Sequence, residues 1–372
     1  MKICVIGLRG FPGVMGGVET HCEQLYPRLK AMRPSDEIVV FGRKPYLPGR
    51  ETVHQGVRVV PLYAARNKYF EAISNAFVAV LHARFKIRAD IVHIHAIGPA
   101  LVAPLAKLLG MKVIVTHHGD DYRRAKWNGI AKAALRAGEY LGMRFADQVI
   151  PVSQSVTRRL RQSFPDRAVA LQHIPNGANH SQGAGFAPAA LHQDVVTRHR
   201  LEHMRYVACV GRLVPEKCFE DVIAAFERVP DLDRLVIAGG AEPDSPYLRK
   251  LKAMAGDRVI FTGPLPRPDV ETLLAHAALF VLPSSHEGLP IAALEAIAAG
   301  APTLLSDIEP NLDIGLSAQN YFRLHDVDEL AAKMRQDPDQ FRIGRDLLRR
   351  YDWSAISVQT SSVYDRLTLV PA

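Results

Sequence analysis

The sequence predicts an α/β protein built from two halves of similar size, each with a parallel sheet. Three observations predict it. Short β-branched runs alternate with longer helical patterns, the alternation stops and restarts near the middle, and 372 residues with a 48% apolar share give each half enough material for its own core.

In the first half the strand-like runs are residues 2–6, 37–41, 57–61, 91–94, 112–116 and 148–152. Their order, each followed by a helical stretch, reads as a parallel sheet. Between Asn176 and Arg205 the periodicity fails and residues that break structure collect, which predicts a linker over 179–204. The pattern resumes with runs at 206–210, 235–238, 259–262, 279–282 and 302–305, a helix over 219–228, and a final helix around 354–367. The expected division is therefore a first domain over 1–178, a second over 205–350, and a C-terminal helix over 351–372 that crosses back to the first. Open parallel sheets bind ligands at the carboxyl ends of their strands, so two such sheets facing each other would place a site in a central cleft.

Composition excludes several classes. Charged residues at 23% and a total of 26 Gly and 25 Pro rule out a disordered or collagen-like chain. Cys4, Cys22, Cys209 and Cys218 form no C-x-x-C pair, so reduced thiols and a cytosolic setting are expected. The opening Met1-Lys2-Ile3-Cys4-Val5-Ile6 reads as a strand, not a signal peptide, and no apolar run reaches the roughly 18 residues of a membrane span. Residues 1–178 carry 26 Lys and Arg against 12 Asp and Glu, whereas residues 179–372 carry 20 against 26. A basic first half suggests a polyanionic partner.

Three segments carry chemistry. The first strand runs into a stretch holding Gly7, Gly10, Gly13, Gly16 and Gly17 before a helix begins. Glycines let backbone approach a ligand, and a helix start offers unpaired N–H groups to phosphate. The spacing is not G-x-G-x-x-G, which argues against a dinucleotide site and leaves a structural turn as the plain alternative. After the run at 206–210, Arg212 and Lys217 supply a second set of phosphate donors, though surface cations are commonplace. The third segment is His286-Glu287-Gly288-Leu289-Pro290 followed by an apolar helix that contains Glu295 and stops at Gly300. A carboxylate among Ala, Leu and Ile requires a partner, either a structural cation or the hydroxyls of a ligand such as a sugar.

Gly16-Gly17, the Gly211-Arg212-Leu213 segment ending at Lys217, and Glu287 with Glu295 eight residues on resemble the retaining glycosyltransferases of family four, which have the GT-B fold of two Rossmann-like domains. The resemblance runs nearly end to end. It extends to bacterial members that build capsule, exopolysaccharide or O-antigen chains, through Arg9-Gly10, Ile97-Gly98-Pro99-Ala100, Thr116-His117-His118-Gly119, Arg124-Ala125-Lys126-Trp127 and Ser306-Asp307-Ile308.

The resemblance implies transfer of a hexose or deoxyhexose from a nucleotide-diphosphate sugar to a glycan or lipid-linked acceptor, with no metal or other cofactor. It assigns Glu295 to the ribose hydroxyls, Glu287 and His118 to the transferred sugar, and Arg212 and Lys217 to the diphosphate. Amides near Gly16, Gly17, Gly288 and Leu289 would assist, and backbone around Gly263 and Pro264 would border the base. Preorganised cations and helix starts stabilise a departing diphosphate without a metal. Two departures stand out: Cys218 where the family usually has glycine, and Asn179 after Ile174-Pro175-Asn176-Gly177-Ala178 where aspartate is common.

Competing readings fare less well. His93, His95, His117 and His118 have no acidic or thiol partner at ligand spacing, which favours polar residues lining the cleft over a metal site. Glu287 and Glu295 on one helix would stand about 12 Å apart, beyond the roughly 5–9.5 Å of a glycosidase pair. No nucleic-acid motif or stacking platform accompanies the basic half. A GT-B epimerase or a silent nucleotide-sugar binder stays open. Finally, Phe70, Ile73, Phe77 and Leu81 share a helical face between Arg66, Lys68, Arg84, Lys86 and Arg88, and a second patch holds Arg123, Arg124, Lys126, Lys132 and Arg136. These predict peripheral docking on an anionic inner membrane, against a buried helix with solvated ends.

Overall fold

A computed structural model describes residues 1–47, 49–67, 69–124, 127–179, 197–199, 201, 205–242 and 244–369. Most of the expected linker lies outside the described residues, as do Lys68, Ala125 and Lys126 of the motifs above. Contacts divide the chain into a first unit, Met1–Asn176 with Trp353–Ala372, and a second, Gly177–Asp352.

The first unit holds β1 (Lys2–Ile6), β2 (Glu37–Arg43), β3 (Thr52–His54), β4 (Val57–Leu62), β5 (Ile91–His95), β6 (Lys112–His117) and β7 (Gln148–Pro151) in the order β3-β4-β2-β1-β5-β6-β7. All pairs are parallel except β3 with β4. The parallel strands read as apolar runs because both faces are covered. On one face, Cys4, Ile6, Val92, Ile94, Val113 and Val115 pack under α2 (Glu71–His82), α3 (Ala103–Leu108) and α4 (Gly129–Phe145). On the other, Ile3, Val5, Ile38 and Val40 meet α1 (Gly17–Met32) and the C-terminal helix. Helix α5 (Gln154–Ser163) is capped by Ser153, whose hydroxyl accepts from the Val156 amide.

Between β1 and β5 the chain makes its topological switch. Gly7, just past β1, has φ +106°, and a Cβ there would lie 2.2 Å from the His95 carbonyl oxygen. Only glycine allows that approach.

Among its described residues the second unit has six parallel strands, β8 (Tyr206–Val210), β9 (Arg234–Ala238), β10 (Val259–Gly263), β11 (Leu279–Leu282), β12 (Thr303–Ser306) and β13 (Tyr321–Phe322), in the order β10-β9-β8-β11-β12-β13. Its helices are α6 (Phe219–Phe226), α7 (Pro246–Met254), α8 (Arg267–Ala275), α9 (Ile291–Ala298), the single turn α10 (Glu309–Leu312) and α11 (Val327–Met334). Gly300, at φ +79°, ends α9 as expected: its amide donates to Ile297 O and the Ala301 amide to Ala296 O. The switch point here lies between β8 and β11.

Helix α12 (Trp353–Leu369) belongs to the first unit, where Trp353, Ile356, Val363 and Tyr364 are buried beside Tyr26 and Leu29. Burying Ile356 and Val363 alone stabilises that docking by roughly 1.5–3 kcal/mol each. Strands β3 and β13 were not anticipated. One is a three-residue antiparallel edge and the other two residues long, too short for periodicity to register. The helix expected over 219–228 stops at Phe226, its last turn tightening as Arg228 N donates to Ala225 O.

Candidate functional site

At the switch point of the second unit two loops leave the carboxyl ends of β8 and β11. Ser285 ties them together, its amide and hydroxyl both donating to the Glu216 carbonyl at 3.0 and 3.3 Å. Lys217 Nζ then donates to Glu287 Oε1 at 2.5 Å. Burial alone would raise the Glu287 carboxyl, but the charge and hydrogen bond of Lys217 win and hold it below the ordinary glutamate value. The pair is a fixed, largely dehydrated dipole at the mouth of the sheet.

Cys218 explains the departure from glycine noted above. It sits at φ +49°, ψ +39°, the left-handed region, as the N-cap residue of α6. A side chain there costs about 1–2 kcal/mol relative to glycine. The thiol is buried and donates weakly to Pro215 O, so packing offsets part of that strain.

Glu295 stands in the middle of α9, whose neighbours Ala293, Leu294, Ala296 and Ile297 are buried. Its partner is Arg267, the first residue of α8, at 2.6 Å. Burial, reinforced by Glu271, outweighs Arg267 and raises the Glu295 carboxyl above its usual range. Sequence reasoning required such a partner but did not find Arg267; the Pro266-Arg267-Pro268 helix start was the available signal. Glu287 lies in the loop ahead of α9, not on it, so the 12 Å spacing argument does not apply. Each of these two carboxylates is engaged by its own cation. Arg212 and Gly288 are half-buried in the same loops and Leu289 is buried, whereas Pro264, just after β10, is exposed.

Gly16, Gly17 and His118 belong to the first unit. Gly16 precedes α1 at φ +154°, and a Cβ there would fall 2.0 Å from Glu19 Oε2. Glu19 Oε1 accepts from the Arg9 amide at 3.0 Å and from Arg9 Nε at 3.2 Å, which folds the glycine-rich loop over the first turn of α1.

His118 follows β6, and its Nε2 lies 2.9 Å from His95 Nδ1. His93 and His95 are fully buried, so they do not line a cleft as expected. Two imidazoles inside an apolar strand need partners. They find the hydroxyls of Tyr26, Thr116 and Tyr364. His21 on α1 packs edge-to-face on His118 and bonds Asn176 Oδ1 through Nδ1, while its Nε2 is buried without a hydrogen bond. Burial pushes His21 down to about 4 and His93 to about 3, and His95 and His118 well below their ordinary value.

The expectation that no acidic residue accompanies the histidines is corrected at His117. Its Nε2 meets Glu139 Oε1 at 2.8 Å, and Arg159 contacts both Glu139 and Asp120. Glu139 sits on α4, outside any ligand spacing along the chain. Burial opposes its charge, but His117 and Arg159 overcome that and bring it down to about 2.

Among the described residues, three groups bring metal-ligand atoms within 4.8 Å of one another: His21, His95 and His118; Cys218, Asp221 and His325; and His117, Asp120 and Glu139. Arg159 already neutralises the last, and none contains Glu287 or Glu295.

Comparison with known proteins decides the family. The model for glycosyltransferase family 4 matches residues 15–182, and that for glycosyl transferases group 1 matches residues 198–336. The chain belongs to the family-four glycosyltransferases. A glycogen synthase of Mycobacterium tuberculosis is 27% identical, with 98% of this chain and 94% of that protein covered. A GDP-mannose-dependent α-(1-6)-phosphatidylinositol monomannoside mannosyltransferase of the same organism is 29% identical, with 79% and 77% covered. Among solved structures, sucrose-phosphate synthase from Thermosynechococcus elongatus superposes with a TM-score of 0.78 at 22% identity, covering 99% of both chains. Anabaena HepE in complex with UDP and glucose gives 0.75 at 18%, covering 98% of this chain and 100% of HepE. These glycosyltransferase likenesses establish the GT-B fold.

Proposed function

We propose that this glycosyltransferase moves a hexose or deoxyhexose from a nucleotide-diphosphate sugar, with retention and without a metal, to a glycan or lipid-linked acceptor in cell-surface polysaccharide synthesis. The observation that supports the donor reading is the ion pair of Lys217 with Glu287 across the loops that leave β8 and β11. Breaking a sugar–phosphate bond develops negative charge on the diphosphate. Lys217, held by Glu287 before substrate arrives, and Arg212 meet that charge as it grows. Glu295 accepts from ribose hydroxyls, Glu287 from the sugar, and the amides near Gly16, Gly17, Gly288 and Leu289 and the backbone at Pro264 complete the donor contacts. His118 contributes to the sugar from the first unit. Attack from the face the leaving group departs, with a donor phosphate oxygen taking the proton, needs no protein nucleophile. The relatives named for glycogen and for a phosphatidylinositol mannoside support glycan and lipid-linked acceptors respectively.

A thermal-shift screen against UDP, GDP, dTDP, ADP and their sugars tests this. A ligand at 100 times its Kd adds about 2.7 kcal/mol of apparent stability. One base is expected to raise the melting temperature, and Glu295→Ala to abolish the shift. A shift with no base, or one that survives Glu295→Ala, rejects the assignment. Binding without transfer to any acceptor would point instead to an epimerase or a silent binder.

A membrane-facing surface is favoured by one observation. Phe70, Phe77 and Phe85 are 62%, 49% and 65% exposed along α2 and the turn after it, beside exposed Arg84, Lys86 and Arg88. Ile73 and Leu81, expected on the same face, are half-buried, Ile73 against the core. Among the described residues no helix is long and apolar enough to cross a membrane. Apolar rings flanked by cations suit the anionic cytoplasmic leaflet. Phe70→Ser/Phe77→Ser is expected to abolish co-sedimentation with anionic vesicles at low salt; equal binding by wild type and variant would refute the surface.

A further inference from the structure

The histidines of β5 connect His118 to the C-terminal helix. Tyr364 Oη, on α12, lies 2.8 Å from His93 Nδ1, and His93 Nε2 lies 2.7 Å from Thr116 Oγ1. Tyr26 Oη, on α1, stands between the two strand histidines, 3.0 Å from His93 Nδ1 and 2.5 Å from His95 Nε2. His95 Nδ1 then reaches His118 Nε2 at 2.9 Å. All of these groups except His118 are buried to below a tenth of their surface.

Proton counting gives the chain a direction. A neutral imidazole has one N–H and one lone pair, and a phenol has one proton to donate. Burial keeps every group neutral near pH 7, lowering the histidines and raising both tyrosines. In the tautomer with its lone pair on Nδ1, His93 can accept from only one of the two tyrosine hydroxyls that reach it there. Tyr364 is the nearer, so it takes that lone pair, and His93 gives its Nε2–H to Thr116. Tyr26 also hydrogen-bonds Tyr364, but its shortest contact is His95 Nε2, at 2.5 Å, and its proton goes there. His95 must then carry its proton on Nδ1 and donate it to His118 Nε2. His118 is left with its proton on Nδ1.

We propose that Tyr364 is a positioning residue that places the proton of His118 on Nδ1, acting through His93, Tyr26 and His95. In this state His118 presents a donor to whatever its Nδ1 faces, suited to a hydroxyl oxygen and unsuited to removing a proton. Without the Tyr364 hydroxyl, Tyr26 is free to donate to His93. His95 Nε2–H then donates to Tyr26, His118 Nε2–H donates to His95, and His118 turns a lone pair outward. The functional consequence rests on the reading of His118 as a sugar contact; the proton placement does not.

The test is long-range 1H–15N correlation of imidazole rings in the full chain labelled with 15N-histidine, with His118 assigned by His118→Gln. Wild type is expected to show His118 as the Nδ1–H form. Tyr364→Phe is expected to move it substantially to Nε2–H, and Tyr26→Phe to give a mixture by cutting the chain. An Nε2–H wild type, or an unchanged ring in a folded Tyr364→Phe or Tyr26→Phe protein, overturns the proposal. The tautomers are read without substrate, so a failed nucleotide screen leaves this result standing, and a failed tautomer result leaves the donor site standing.

Discussion

Lys217→Met is expected to lower the rate of nucleoside-diphosphate release by roughly 10²–10³, the loss typical when one preorganised donor to a developing negative charge is removed. The same variant should also destabilise the second unit, because it strands Glu287 as a buried carboxylate whose depressed pKa depends on Lys217. Breaking one side of a buried pair costs about 3–5 kcal/mol. These two effects have different remedies. Adding Glu287→Gln removes the stranded charge, so the double variant Lys217→Met/Glu287→Gln should recover most of the stability and none of the rate. The comparison separates a catalytic cation from a merely structural ion pair. Recovery of both rate and stability would show that Lys217 serves only to neutralise Glu287. Loss of neither in the single variant would remove Lys217 from the site altogether.

The same pair marks the limit of what was legible beforehand. Lys217 and Glu287 stand 70 residues apart, and their candidacy came from local signals: a loop after a strand, and a glycine-containing helix start. Such signals survive in sequence because backbone geometry enforces them residue by residue. The parallel strands were legible for a related reason, since burial on both faces leaves an uninterrupted apolar run. Partnership is different. That Glu295 needed a cation followed from its apolar neighbours, but that Arg267 supplies it depends on how α8 packs against α9. Likewise the alternation of His93 and His95 placed them on one strand face, yet their hydroxyl partners come from helices 67 and 271 residues away. Period and propensity carry no information at that range, and the reading of these rings as cleft-lining polar groups failed there.

Those buried rings make the first unit sensitive to mild acid. His21, His93 and His95 are covered almost completely and held neutral, with His21 at about 4 and His93 at about 3. In the unfolded chain each takes up a proton near its ordinary value of 6.5. Between that value and the folded one, the unfolded state binds more protons, so stability falls as pH falls. At pH 5 each ring should cost about 2 kcal/mol relative to pH 7.5, a total comparable with the whole stability of many domains. Glu139 adds a second window lower down: its folded value is depressed to about 2, so the stability it contributes is complete above the ordinary 4.5 and disappears only as pH drops from there. Both tryptophans, Trp127 and Trp353, lie in the first unit, so their fluorescence follows its unfolding by urea. The unfolding midpoint is expected to drop steeply between pH 6.5 and 5, with uptake of about four protons on unfolding once His118 is counted with the other three rings. His21→Gln should remove about one of the four, because Gln cannot charge, while Glu139→Gln should leave this upper window intact and flatten only the one below pH 4.5. A midpoint that stays level from pH 7.5 to 5 would mean that the histidine cluster accepts protons in the folded state, and with that the neutral hydrogen-bond chain from Tyr364 to His118 would lose its physical basis.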